Sequence, residues 1–367
     1  MADLRDLFEL EELSQVQALR VMPRTVRDRQ NPFIIWSDDN FKRRYRLRKE
    51  TVMFVVNLLR SDLNETSVNN AISPELQVLS ALRFFAKGSY QDDAGDIHGF
   101  SQPTQSRIVG RVSRALARRR AQFVHFPENR REQRSTIQLF FERYGFPSVV
   151  GLIDGTHIRI KNPGGPMQAL YICRKKFHVL NVQLVCDAKE KITNVVARWR
   201  GSAHDSRIWE KCALREKFQE GFILIYTQKV TGLLLGDNGY TCSQHLLTPV
   251  LGARPDSPEE EYNTRHKSTR NAIERVIGQL KNKFRCLIRK LEISLDTTKA
   301  VIVAACVLFN IAKDHNDEDD FSSDSDTDYE SSESSDTSSE SDETPEDPPS
   351  GTAFRSQFIQ THFSSGT

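Results

Sequence analysis

The chain has 367 residues and a mass of 42.0 kDa, room for two domains or for one large core with an accessory module. Hydrophobic residues make up 38%, and the longest apolar run, Ala300 to Phe309, is too short to cross a bilayer, so no membrane span is expected. The net charge of +2 conceals a segregation: of 51 Lys and Arg and 49 Asp and Glu, 16 acids and one arginine lie beyond position 313, which leaves 50 basic against 33 acidic residues before it, a balance of +17. So basic a body favours a polyanion, nucleic acid first, unless its lysines and arginines are solvated helix faces. The N-terminus lacks the layout of a signal peptide, and the six cysteines never form a C-x-x-C pair. Reduced thiols in a nuclear or cytoplasmic chain are therefore expected, not a disulfide frame or a zinc ribbon.

In chain order, residues 1–40 read as an extension and 41–125 as a helical domain. The segment "FKRRYRLRK", Phe41 to Lys49, carries six basic residues and suits nuclear import, DNA contact or the polar face of a helix. Leu47 to Leu59 is helical in pattern; Ser73 caps a second helix, Pro74 suits its first turn and Gly88 ends it. A short helix to about Ile97, a turn at His98-Gly99-Phe100 and a helix from Ser101 to Arg118, Arg119 and Arg120 suggest a helix-turn-helix. Its second helix would offer Gln102, Gln105 and Arg107 to base edges, although small helical bundles give the same pattern.

From 126 to 313 the period changes. "VVGLIDGTHIRI" reads as a buried strand, and "FHVLNVQLVCDAKEKITNVVARWRG" as a hairpin turning at Asp187 to Lys191. "DSRIWEKCALREKF" reads as a helix, "GLLLGDNGY" as another buried strand, Thr248 to Glu261 as an irregular insert, and Asn271 to Leu287 as a long helix with the stripe Ile273, Ile277, Leu280, Phe284 and Leu287. Beyond 313, the acidic, serine-rich stretch to 367 has too little apolar surface to order itself. It is either an inert solubilising tail or, more negative still when phosphorylated, a shield for the basic body.

Asp154 and Asp237 each close an apolar strand and precede a residue that turns easily, Gly155 or Asn238. Adjacent strand ends would bring the two carboxylates together, where they repel unless a proton or a cation separates them. Oxygen donors of this kind suit a hard cation, Mg²⁺ or Mn²⁺. Glu274 sits beside the apolar stripe of its helix, placed to lean over the sheet edge. Capping or ion pairing is the plainer role for any one of these acids. Similarly, His157 and His204 fit phosphate binding, the orienting of a carboxylate, or a plain packed or exposed histidine, and Arg265, Lys267, Arg270 and Arg275 fit phosphate contact or a solvated helix face.

"GLIDGTH", "GSAHDSRIW", "LLGDNGY" and "NTRHKSTRNAIERVIGQLKNKFRCL", in this order, resemble the catalytic domain of the Harbinger superfamily of DDE transposases, and within it the vertebrate transposase-derived nucleases. The likeness runs from about 70 to 312. It implies an α/β, ribonuclease-H-like mixed sheet with flanking helices over 126–313, behind the helix-turn-helix-like domain; the tail at 314–367, expected to be disordered from its composition, lies outside the likeness. It also implies a catalytic triad of Asp154, Asp237 and Glu274, with Asp205 of the H-D-S-R motif as a further metal ligand. Two Mg²⁺ or Mn²⁺ ions about 4 Å apart would promote in-line attack on a phosphodiester, Asp154 bridging both, Asp237 holding one and Glu274 completing the second. DNA is the implied substrate, a Myb/SANT-like protein the implied partner, and nucleus and cytoplasm the implied locations. Two function classes follow: a metal-dependent DNA endonuclease, or a domesticated DNA-binding or scaffold protein that kept the fold without turnover. Tyr171, Cys173 and Lys175 also match family positions, with no chemistry attached.

Overall fold

The computed structural model describes residues 31–64, 72–88, 101–220, 224–225, 230–317 and 347–364. Its centre is a five-stranded mixed sheet. Strands β1 (Val149–Arg159), β2 (Val179–Cys186) and β3 (Ile192–Arg200) form an antiparallel meander, and β4 (Leu233–Leu235) and β5 (Leu246–Leu247) add to the other side of β1 in parallel, giving the order β3-β2-β1-β4-β5. The expected hairpin therefore forms, with its turn at Asp187 to Lys191. Every residue of β2 is buried, as a strand covered on both faces requires.

One face of the sheet contributes Val149, Leu152 and Ile158 to a large core, and the other contributes Val150 and Ile153 to a smaller one around Trp209 and Phe218. The large core also takes side chains from α1 (Asp38–Tyr45), α2 (Lys49–Leu63), α3 (Pro74–Lys87) and α4 (Gln102–Arg118), and Phe140 from α5 (Arg130–Tyr144). The division expected near residue 125 is thus not a boundary in packing. These helices share one interior with the sheet, because α8 (Leu295–Asp314) has apolar residues on nearly every side and needs cover from both. By length and composition α8 could cross a membrane, contrary to the limit set by its longest apolar run, but most of it is buried inside the protein.

The helix signals around α3 hold: the Ser73 hydroxyl accepts from Leu76 N, Pro74 is in the first turn, and Gly88 caps in the left-handed region at φ 78°. The first helix and turn of the expected helix-turn-helix, about Ile97 to Phe100, lie outside the described residues. Its second helix is α4, but Gln105 is buried there, donating to Ser80 O at 3.0 Å and accepting from the Ser80 hydroxyl, so it cannot reach a base. A glutamine buried against a helix is held by such bonds because leaving them unmade costs more than the bonds gain in water.

Three boundaries move. The long helix, α7, runs Pro258–Lys283, so the end of the supposed irregular insert is its first turn, capped by Ser257 and rich in acids that complement the helix dipole. The segment from 205 is two short helices, α6 (Asp205–Glu210) and Ala213–Gln219. The acidic tail gives way to α9 (Pro349–Phe363), whose Phe358, Ile359 and Phe363 are buried against Phe146 and Tyr262 of the body. Arg355 fastens it, donating to Thr248 Oγ1 at 2.9 Å and pairing with Asp347 at 3.2 Å. Acidic composition averaged over 314–367 hides this apolar stripe.

Candidate active site

Asp154 lies in the middle of β1, not at its end, and is 2% exposed. In the parallel ladder Leu152 faces Leu235, so two residues further on Asp154 and Asp237 reach the same level of the sheet. Gly155 does not turn the chain. It makes room: a Cβ there would stand 2.5 Å from both carboxylate oxygens of Asp205, so only glycine lets α6 bring that acid against β1. Gly239 does the same beyond β4, where a Cβ would meet Asp237 Oδ1 at 3.0 Å and Asp205 Oδ2 at 3.7 Å.

Backbone and amide donors hold these acids in place. Gly155 N donates to Asp154 Oδ1 at 2.8 Å, Gly239 N to Asp237 Oδ1 at 3.0 Å, and Asn181 Nδ2 to Asp205 Oδ1 at 2.8 Å. Ser206 N donates to Gly239 O at 3.2 Å and ties α6 to the loop after β4. Asn181 was legible only as a polar residue in an apolar strand; its role needed α6 to be placed.

The fourth acid differs. Glu274 is half-exposed on α7, and it joins the others through Arg270, one turn earlier on the same helix. Arg270 Nη1 lies 3.3 Å from Asp154 Oδ2 while its Nη2 donates to Glu274. Arg270 is therefore an internal counter-ion, and Arg275 likewise is engaged with Glu190 at 2.9 Å. Neither is therefore free for the phosphate contact that the sequence suggests. Arg265 pairs with Glu261 at 2.7 Å, whereas His157, His204 and Lys267 are exposed.

One guanidinium does not balance this charge. Burial, then the neighbouring Asp237, pushes the Asp154 carboxyl up to about 8, against the pull of Arg270. Burial pushes Asp205 up to about 6, despite the Asn181 bond, and raises Asp237 as well. Acids that would be charged in water are thus driven towards protonation. The Tyr240 hydroxyl, buried beside these carboxylates, has no hydrogen-bond partner among the described residues.

A hard divalent cation fits the oxygen-only donor set, the excess negative charge and the unpartnered hydroxyl. Yet no group of three or more acids among the described residues is closed on a common point. The expected four-ligand set of Asp154, Asp205, Asp237 and Glu274 is not preassembled, and Arg270 bridges two of its members, Asp154 and Glu274. The site has the chemistry for a cation and holds a guanidinium instead.

Residues 153–310 match the model of the DDE superfamily endonuclease family, a span that includes all four acids. The chain is 35% identical over 283 residues to Putative nuclease HARBI1 of Mus musculus, covering 76% of this chain and 79% of the relative. It is 34% identical to the Homo sapiens protein of that name over 76% and 79%, and 25% identical to Protein ALP1-like of Arabidopsis thaliana over 76% and 71%. No solved structure matches it significantly. With motifs, mixed sheet and relatives in agreement, the chain belongs to the Harbinger-derived DDE endonuclease family.

Proposed function

We propose that the protein is a metal-dependent DNA endonuclease on a ribonuclease-H-like scaffold. The parallel register of β1 and β4, which sets Asp154 and Asp237 side by side, is the observation that carries this reading. Asp154, Asp237, Asp205 and Glu274 would hold Mg²⁺ or Mn²⁺, which when bound supplies charge stabilisation at the phosphodiester and acidifies water. The chain's own part is positioning. The buried Asp154 and the part-buried Asp237 and Asp205 stay fixed by Gly155 N, Gly239 N and Asn181, and the restricted solvation around Asp154 strengthens each charge contact made there.

The partner is argued from the surface. Arg107, Arg111 and Arg114 lie exposed along α4, at helical spacings of four and three, and make a basic stripe suited to a phosphate backbone, while Arg118, one turn on, pairs with Asp62 at 3.0 Å. The stripe replaces base reading through Gln105. A Myb/SANT-like protein supplying sequence specificity belongs to the same reading.

The test is cleavage of duplex DNA with Mg²⁺ or Mn²⁺, with and without such a partner, by wild type and Asp154→Asn. Cleavage lost in EDTA and in the variant supports the reading; equal cleavage by both proteins removes Asp154 from the reaction. The guanidinium between Asp154 and Glu274 favours a second reading, a DNA-binding or scaffold protein without turnover. Wild type that binds DNA and cleaves none under any of these conditions would establish that instead.

A further inference from the structure

Arg270 touches two of the four acids and is itself 9% exposed, so it is a built part of the site and not a surface side chain that happens to lie across it. Neither Asp205 nor Asp237 has an ion-pair partner among the described residues, which makes this guanidinium the one cation in contact with the cluster. A divalent ion drawn to Asp154 and Glu274 would compete with Arg270 for Asp154 Oδ2 and Glu274 Oε1, and two cations repel each other at so short a range. Arginine cannot leave by losing its proton; it can only change partner. The partner that suits a guanidinium best, after a carboxylate, is a phosphate oxygen.

We propose that Arg270 is an exchangeable counter-ion: it holds the carboxylates together without metal, suppresses metal affinity, and swings to a DNA phosphate when nucleic acid arrives, so that DNA and the divalent ion bind cooperatively. The inference rests on the nuclease reading above and adds a coupling to it. By linkage the effect is reciprocal: DNA tightens metal binding by the factor by which metal tightens DNA binding. The device would keep a bare cation from charging the site in the absence of its polyanion.

The test is Mn²⁺ binding by the full chain, read by electron paramagnetic resonance of free Mn²⁺, with and without a short DNA duplex and independent of turnover. For wild type, DNA should tighten Mn²⁺ binding about fivefold or more, after subtracting the Mn²⁺ that the duplex itself takes up, for which Asp154→Asn with the same duplex is the blank. Arg270→Gln should bind Mn²⁺ more tightly than wild type without DNA and gain little when DNA is added. Arg270→Lys keeps the charge but lacks the planar fork that reaches two acids in fixed geometry, and should fall between them. Melting in EDTA checks folding, and Arg270→Lys carries the test if Arg270→Gln does not fold. Unchanged or weaker Mn²⁺ binding in the folded Arg270 variants, with binding still lost in Asp154→Asn, overturns the exchange alone. Equal Mn²⁺ binding by wild type and Asp154→Asn overturns the metal reading on which it rests.

Discussion

Glu190 and Asp154 are both buried acids, on opposite sides of β2 in sequence, yet they behave in opposite ways. Glu190 closes the β2–β3 turn in the left-handed region at φ 61° and receives Arg275 at 2.9 Å, Arg143 at 3.6 Å and Lys313 at 3.7 Å. Burial would raise its pKa, but these three cations together lower it. Asp154 has one cation shared with Glu274 and two aspartates for neighbours, and its pKa rises. A buried carboxylate with surplus positive charge is a structural clamp; one with surplus negative charge awaits a proton or a cation.

The sharpest way to break this contrast is substitution at the two centres. Asp154→Asn and Asp237→Asn should each lower divalent-dependent DNA cleavage at least about 100-fold while leaving the melting temperature in EDTA unchanged or higher, since like charge is removed. Full cleavage by either would take that residue out of the site. Next is Gly155→Ala: its methyl group displaces the Asp205 carboxylate, and a shift of that size should cost roughly 10- to 100-fold in rate. Activity like wild type would show that Asp205 is not needed where it stands.

Glu190→Gln strips three cations of their acid, and should destabilise the fold by about 2 kcal/mol in a denaturant melt without changing the metal requirement. No loss of stability would make Glu190 an ornament of the turn.

The two acids also predict opposite pH behaviour. A raised folded pKa means that Asp154 contributes stability that is fully present below the ordinary value of 3.8 and is lost as pH rises through about 8. Metal-free protein should therefore melt at lower temperature as pH climbs through that window, and Asp154→Asn should flatten the slope. Glu190, with its lowered pKa, contributes stability present above its ordinary value of 4.5 and lost as pH falls through its folded value. A wild-type melting curve without the upper slope would mean that Asp154 ionises freely.

The smallest effect is expected far from both acids. Replacing Arg107 and Arg111 by Gln should reduce the slope of log K against log salt by about 0.9 for each DNA phosphate that is no longer neutralised, with little change in cleavage at saturating DNA. An unchanged slope would place the phosphate track elsewhere.

Much of this was legible in one dimension. Apolar runs marked β1, β2 and β3, Ser73, Pro74 and Gly88 marked α3, and four ordered motifs carried the family, because strand burial, helix caps and motif spacing are local properties of the chain. Three-dimensional packing decided the rest. Gly155 read as a turn because nothing local distinguishes a glycine that bends the backbone from one that admits Asp205, a neighbour fifty residues away. Arg270 and Arg275 look alike along α7, yet one faces Asp154 and the other Glu190. Which acid a guanidinium neutralises depends on where the sheet and the β2–β3 turn lie beside that helix, and so the balance of charge at each carboxylate was settled only when distant segments met.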